Sequence, residues 1–71
     1  MPLVIAPLNQ ILKVIKILAD EKSKKHLESL GITVDSELQV LASQGGSLIL
    51  KIKDGRLAID HVLATKIIVT A

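Results

Sequence analysis

The sequence predicts a small, mainly β protein in which about five short strands form a closed barrel, with one short inserted helix and one helical turn before the last strand. Ten Ile, twelve Leu and six Val supply 28 aliphatic side chains in 71 residues that include no aromatic residue and no Cys. These side chains occur in short runs separated by turn sequences. Closure is expected because it removes the two exposed edges of so short a sheet. We expect one domain over residues 1–71.

The first predicted strand covers residues 11–18, where β-branched residues are frequent and no helix cap precedes them. Its alternate faces carry Lys13 and Lys16, one on each face, and are otherwise aliphatic. We therefore expect both faces to be covered over part of their length.

Residues 20–31 predict the inserted helix. Asp20 is the expected N-cap, because its carboxylate can accept from the free N–H groups of the first turn. Gly31 is expected to end the helix in the left-handed conformation. Leu27 and Leu30 share one face and are expected to dock the helix onto the sheet.

Two alternating segments, residues 37–43 and 47–53, predict a hairpin around the permissive sequence Gly45-Gly46. The side chains expected to face the core are Leu38, Val40, Ala42, Leu48, Leu50 and Ile52.

A second hairpin is predicted at Asp54-Gly55, read as a type I′ turn, with a return strand over residues 56–59. Asp60 is then expected to cap a single helical turn over residues 60–65, and residues 66–70 form the closing strand.

Charge and hydropathy exclude several functional classes. The net charge of +2 gives little attraction for a polyanion, and without aromatic residues no base can stack on a side chain, so no nucleic acid partner is expected. No apolar stretch approaches the roughly 18–20 residues that span a bilayer, and we expect a cytoplasmic protein without membrane insertion.

The sequence offers few groups for metal or catalytic chemistry. His26 and His61 are the two imidazoles, and neither lies at a helical i, i+4 spacing from another ligand. No Ser lies in a nucleophile-elbow sequence, and the segment 44–47 lacks the length and the Lys of a phosphate-binding loop. We therefore expect no catalytic, cofactor-binding or metal-ligating residue, and no enzyme.

The order of short motifs provides a sharper indication. The run Leu27-x-x-Leu30-Gly31-Ile32 is followed by the turns at Gly45-Gly46 and Asp54-Gly55, and the chain finishes with Ala64-x-x-Ile67-x-Val69. Over roughly residues 8–70 this arrangement resembles the FeoA family (ferrous iron transport protein A). The family usually has Pro-Gly where this chain has Val34-Asp35, and Asp tolerates the left-handed conformation better than most residues.

The resemblance implies an SH3-like small β-barrel that works in ferrous iron transport as a non-enzymatic accessory protein. Its expected partner is the cytoplasmic GTPase domain of a ferrous iron permease. Because similar domains form the C-terminal part of iron-dependent repressors, the alternative is a regulatory or oligomerisation module related to them. Self-association is a further expectation.

The strand alternation suggests where a partner would bind. Leu41 and Ile49 are expected to face outward on either side of the Gly45-Gly46 loop and to form an exposed apolar patch, which is typical of an interaction surface. Cover of this patch by the N-terminal residues 3–5 is an equally weighted alternative. We predict Leu41, Gly45, Gly46 and Ile49 as partner-binding residues.

Overall fold

The computed structural model describes every residue of the chain, 1–71. In chain order its elements are a 3-10 turn (Leu3–Ile5), β1 (Leu12–Ile17), α1 (Glu21–Ser29), β2 (Glu37–Gln44), β3 (Ser47–Ile52), β4 (Gly55–Asp60), α2 (His61–Ala64) and β5 (Ile67–Thr70). The five strands, the inserted helix and the helical turn before the last strand confirm the predicted mainly β class.

The sheet is open, so the predicted closure of the barrel is wrong. All neighbouring strands are antiparallel, and their order is β4-β3-β2-β1-β5, which leaves β4 and β5 at the two edges. Closure would require these two edge strands to pair. Instead, α2 follows β4 directly, and the 3-10 turn contacts both α2 and β5.

The N-terminal residues cover the β5 edge. The Met1 amino group donates to the Val69 carbonyl at 2.9 Å, and the Val69 N–H donates back to the Met1 carbonyl at 2.8 Å. Pro2 forms an antiparallel bridge with Ile68, and Leu3 is fully buried. The segment before β1 therefore acts as a short extra strand that also contributes to the core.

The core consists entirely of aliphatic side chains, and no polar side chain is buried. Every strand contributes to it, as do α1, α2 and the N-terminal turn. Its members are Leu3, Leu12, Val14, Ile17, Leu27, Ile32, Leu38, Val40, Leu48, Leu50, Ile59, Ala64, Ile67 and Val69.

Helix α1 begins and ends as the sequence predicts. The Asp20 carboxylate accepts from the Ser23 N–H at 2.9 Å. At the other end, Gly31 has φ +95° and its N–H donates to Glu28, while the Ile32 N–H donates to the Leu27 carbonyl. This pair of hydrogen bonds is a Schellman motif, which allows Leu27 and Ile32 to be buried together at the helix end.

A β-bulge in β1 changes which side chains reach the core. Against β5 the pairing passes from Val14↔Val69 to Lys16↔Ile68, so Ile15 is an extra residue in the strand. Because the bulge inserts one residue, the alternation of inward and outward side chains is reset after it.

The outward aliphatic side chains of this strand region are exposed, so the expected cover of both faces is wrong. Ile11, Ile15 and Leu18 are 59%, 47% and 54% exposed, whereas Ile17, beyond the bulge, is buried. One face of β1 packs in the core and the other faces solvent.

A second bulge lies in β2. The pairing with β3 passes from Val40↔Leu50 to Ala42↔Ile49, so Leu41 is the extra residue. Ala42 therefore shares the outer face with Ile49, and the expectation that Ala42 faces the core is wrong.

The two hairpin loops differ from each other. Gly45 and Gly46 have φ +53° and +83°, as a type I′ turn requires, which confirms the predicted loop. The second loop consists of Lys53 and Asp54, and neither has a positive φ. The type I′ turn expected at Asp54-Gly55 is therefore wrong; Gly55 instead begins β4 with φ +141°.

Candidate partner-binding surface

The outer face of β2, β3 and β4 brings four aliphatic residues together. Residues that pair across antiparallel strands lie on the same face of a sheet. Ile49 pairs with Ala42 on one side and Ala58 on the other, and Leu41 lies in the bulge opposite Ile49. Leu41, Ala42, Ile49 and Ala58 thus form one surface, called the outer patch below.

The outer patch is less exposed than its sequence suggests. Leu41, Ala42 and Ile49 are half-buried, and Ala58 is exposed. The structure therefore brings Leu41 and Ile49 onto one face, adds two alanines to them, and leaves a shallow apolar surface.

The N-terminal segment approaches this region by a different route from the expected cover by residues 3–5. The 3-10 turn at these residues contacts α2 and β5. Further along, Leu8 forms a parallel bridge with Val40, and the Asn9 N–H donates to the Val40 carbonyl at 2.8 Å. The residues beside the bulge of β2 are thus Leu8 and Asn9.

The Gly45-Gly46 loop is exposed but anchored. The space around both glycines is open, because no atom lies within 4 Å of the point that a Cβ would occupy on either residue. The His61 N–H donates to the Gly46 carbonyl at 2.9 Å, and the His61 Nε2 lies 3.1 Å from the Ser43 Oγ. The first residue of α2 therefore fixes the loop beside the outer patch.

Sequence reasoning missed this anchoring role of His61 and Ser43. The two residues are 18 positions apart, and no local pattern relates them. The one available signal was the position of His61 directly after the Asp60 cap, since the Asp60 carboxylate accepts from Val62 and so orients the start of α2.

The largest cavity is charged and lies elsewhere. It has a volume of about 610 Å³ and no hydrophobic lining; its residues are Lys13, Gly31, Asp35, Ser36, Glu37, Lys53 and Asp54. Lys13 Nζ lies 3.5 Å from Asp35 Oδ1, and both side chains are mostly exposed. Acidic and basic groups are mixed here, so the cavity favours neither anions nor cations.

A second exposed apolar site lies between β1 and α1. Ile15 and Val34 are about half exposed and line a groove of about 310 Å³ with Lys16, Ile17, Lys24, Glu28 and Thr33. The strand alternation predicted cover for Ile15, so this groove was not foreseen. It supplies a useful comparison surface for binding experiments.

The titratable groups form no reactive cluster. No three His, Cys, Asp or Glu side chains are positioned to hold a metal ion together. The group with a clear pKa shift is Asp20, whose carboxyl pKa is lowered by hydrogen bonds from Ser23 at the helix start. That shift belongs to helix capping and gives no acid–base pair.

An open antiparallel sheet with an inserted helix, a helical turn before the last strand and an exposed outer face defines the class of small SH3-like modules. The family model of the FeoA domain matches residues 1–71, and the chain therefore belongs to the FeoA family. The FeoA family is not a known enzyme family.

Solved structures agree with this assignment. A crystal structure of an iron uptake regulatory protein (FeoA) is 30% identical, with a TM-score of 0.87, over 97% of this chain and 92% of that chain. The FeoA protein of Chlorobium tepidum shares the fold, with a TM-score of 0.88 at 21% identity over 97% of this chain and 68% of that one.

A manganese-dependent transcriptional repressor in complex with manganese is also similar, at 27% identity and a TM-score of 0.89. The match covers 99% of this chain and 35% of the repressor chain. No curated protein sequence matches this chain. Neither α1 nor α2 is long and apolar enough to cross a membrane.

Proposed function

We propose that this protein is a non-enzymatic accessory protein of ferrous iron transport that binds the cytoplasmic GTPase domain of a ferrous iron permease. Membership of the FeoA family supports the transport role, as does the 30% identity with an iron uptake regulatory protein. The protein would work in the cytoplasm, where that GTPase domain lies.

The outer patch and the Gly45-Gly46 loop are the proposed contact surface. The observation that carries this choice is the juxtaposition of Leu41 and Ile49 on one face beside a loop without side chains. A partner backbone can approach such a loop closely. Because His61 holds the loop in place, little ordering would be required on binding.

The mechanism follows from differential binding. If the protein binds one nucleotide state of the GTPase domain more tightly than the others, it stabilises that state and changes the cycle without any chemistry of its own. Calorimetric titration of the GTPase domain without nucleotide, with GDP and with a non-hydrolysable GTP analogue is expected to give unequal dissociation constants.

Substitutions test the surface. Leu41→Asp and Ile49→Asp place a charge in the outer patch and are expected to weaken binding by about 1–3 kcal/mol. Ile15→Asp introduces the same charge in the groove beside α1 and is expected to leave binding unchanged. If folded Leu41→Asp and Ile49→Asp proteins bind as the wild type does, the proposed surface is wrong. If only Ile15→Asp loses binding, the contact surface is the groove between β1 and α1 instead.

The second candidate is a regulatory or oligomerisation module, favoured by the similarity of 99% of this chain to part of a manganese-dependent repressor. A gene for a large GTPase permease beside the gene for this protein would favour the transport role. Capture of a DNA-binding regulator instead of the GTPase domain would favour the alternative.

A further inference from the structure

The two edges of the sheet are treated differently by the fold. At β5 the N-terminal residues pair with the edge through Met1 and Pro2, and proline can donate no further hydrogen bond. At β4 no strand follows, so this edge remains open. An open edge offers backbone groups for pairing with another strand.

The hairpin geometry indicates which backbone groups face outward. The loop of β3 and β4 has two residues, so the flanking pair Ile52↔Gly55 is a hydrogen-bonded one, and the pairs then alternate. Leu57 and Ile59 therefore direct their N–H and C=O groups toward β3. Arg56 and Ala58 direct theirs toward the open edge, as Asp60 does with its N–H, whereas the Asp60 C=O is the cap carbonyl that starts the hydrogen bonding of α2.

We propose that two copies of this chain pair through β4, antiparallel, with Ala58 of each copy at the two-fold axis. In this register the Ala58 groups exchange two hydrogen bonds. Arg56 then lies opposite Asp60 of the second copy, and Asp60 opposite Arg56 of the second copy. Both side chains are exposed and lie on the outer face with Ala58.

The charges on β4 favour a second copy of this chain as the partner that pairs with the open edge. Arg56 lies directly opposite Lys51 in the sheet, and like charges at such positions are destabilising. The one ion pair within the chain joins Lys13 and Asp35, so neither Arg56 nor Asp60 has an ion-pair partner of its own. Asp60 of a second copy supplies the missing anion for Arg56 twice in each dimer. A parallel arrangement would instead place Arg56 beside Arg56.

The pairing of two β4 strands also affects partner binding, and this consequence rests on the proposed function. Ala58 belongs to the outer patch, and Ile49 is its neighbour on β3. Joining two β4 strands therefore continues the apolar surface from one copy into the other across the axis. A dimer would present two partner-binding surfaces side by side, which permits binding of two GTPase domains at once and raises avidity where those two domains are held together.

Sedimentation equilibrium of the full chain alone, from micromolar to millimolar concentration, tests the dimer. We expect a reversible monomer–dimer equilibrium that weakens as salt is added, because the two ion pairs are exposed. Arg56→Asp and Asp60→Lys each turn both pairs into repulsions and are expected to weaken the dimer by about tenfold or more. A mixture of the two variants restores opposite charges at both pairs and is expected to dimerise.

Lys25→Asp is the matched control, since it makes the same change in charge at an exposed position of α1, outside the sheet. It is expected to retain the dimer. Ala58→Pro tests the backbone without changing charge, because it removes an N–H that faces the open edge and not β3. It is expected to abolish the dimer while the monomer keeps its circular dichroism spectrum.

A wild-type chain that stays monomeric at millimolar concentration overturns the proposal, as does a dimer that both Arg56→Asp and Ala58→Pro leave intact. If Asp60→Lys fails to fold because the cap of α2 is lost, Arg56→Asp and Ala58→Pro still test the dimer. The measurement uses no GTPase domain, so a failure of partner binding leaves this result unaffected.

Discussion

At the residue scale, the turn after α1 shows how an exception to the family pattern is accommodated. Asp35 has φ +74°, so the chain adopts the left-handed conformation at the position where the family usually has Gly. The turn is supported by local hydrogen bonds, with the Thr33 N–H donating to the Ser36 Oγ at 2.9 Å. The sequence-based expectation for Asp35 is thereby confirmed.

Asp35→Gly and Asp35→Ala separate the backbone strain from the ion pair. Both substitutions remove the exposed ion pair with Lys13, which is worth little. Only Ala retains the strain of a Cβ atom at positive φ. In urea unfolding we expect the Gly variant to be about 1 kcal/mol more stable than the Ala variant. Equal stabilities of the two variants would mean that the turn changes its conformation.

At the element scale, the ends of helices and most core-facing strand positions proved predictable from sequence, whereas the bulges inside the strands did not. Asp20 and Gly31 carry their signals locally, because a cap is formed by a few neighbouring residues. The bulges at Ile15 and Leu41 arise from the register between strands distant in sequence. A period-two pattern contains no sign of an inserted residue, so Ile15 and Ala42 were assigned to the wrong environments.

The cap of α1 predicts a pH dependence of stability. Hydrogen bonds from Ser23 lower the pKa of the Asp20 carboxyl below its usual 3.8. The folded state thus favours the charged form, and its contribution to stability is present above pH 3.8 and is lost as the pH falls through the folded pKa. Asp20→Asn keeps an acceptor at the cap but cannot titrate.

Thermal unfolding of wild-type and Asp20→Asn proteins between pH 2 and 7 measures this contribution. The wild-type advantage in Tm is expected to be largest near neutral pH and to shrink below pH 3.8. Asp54→Asn, in the loop between β3 and β4, is the control with the same chemical change outside a helix cap. A wild-type advantage that is constant with pH would contradict the assignment of this carboxylate as the cap.

At the scale of the whole molecule, the fold class was predictable because aliphatic runs and glycine turns fix the number and order of strands. Whether the sheet closes and which edge is covered could not be predicted, since this depends on where the N-terminal segment lies. The partner-binding face was partly predictable: Leu41 and Ile49 are on one face, but their neighbour Ala58 and the anchor His61 come from distant positions.

The N-terminal segment offers the clearest test of how this open sheet is stabilised. Leu3 is fully buried against a core that every strand contributes to, although it lies in a three-residue turn before the first strand. Leu3→Ala is expected to lower the free energy of unfolding by about 2–5 kcal/mol, the range for a buried Leu. That is a large share of the stability of a small domain, about 5–15 kcal/mol.

Ile5→Ala, in the same turn, is the matched control. Ile5 is 70% exposed, so its truncation is expected to change the free energy of unfolding by less than about 0.5 kcal/mol. Urea denaturation of both variants measures the difference. Because Met1 and Pro2 pair with β5 beside Leu3, loss of Leu3 should also speed amide exchange at Val69, whose N–H donates to Met1. Similar stabilities for the two variants would show that the five strands hold the core without the N-terminal segment.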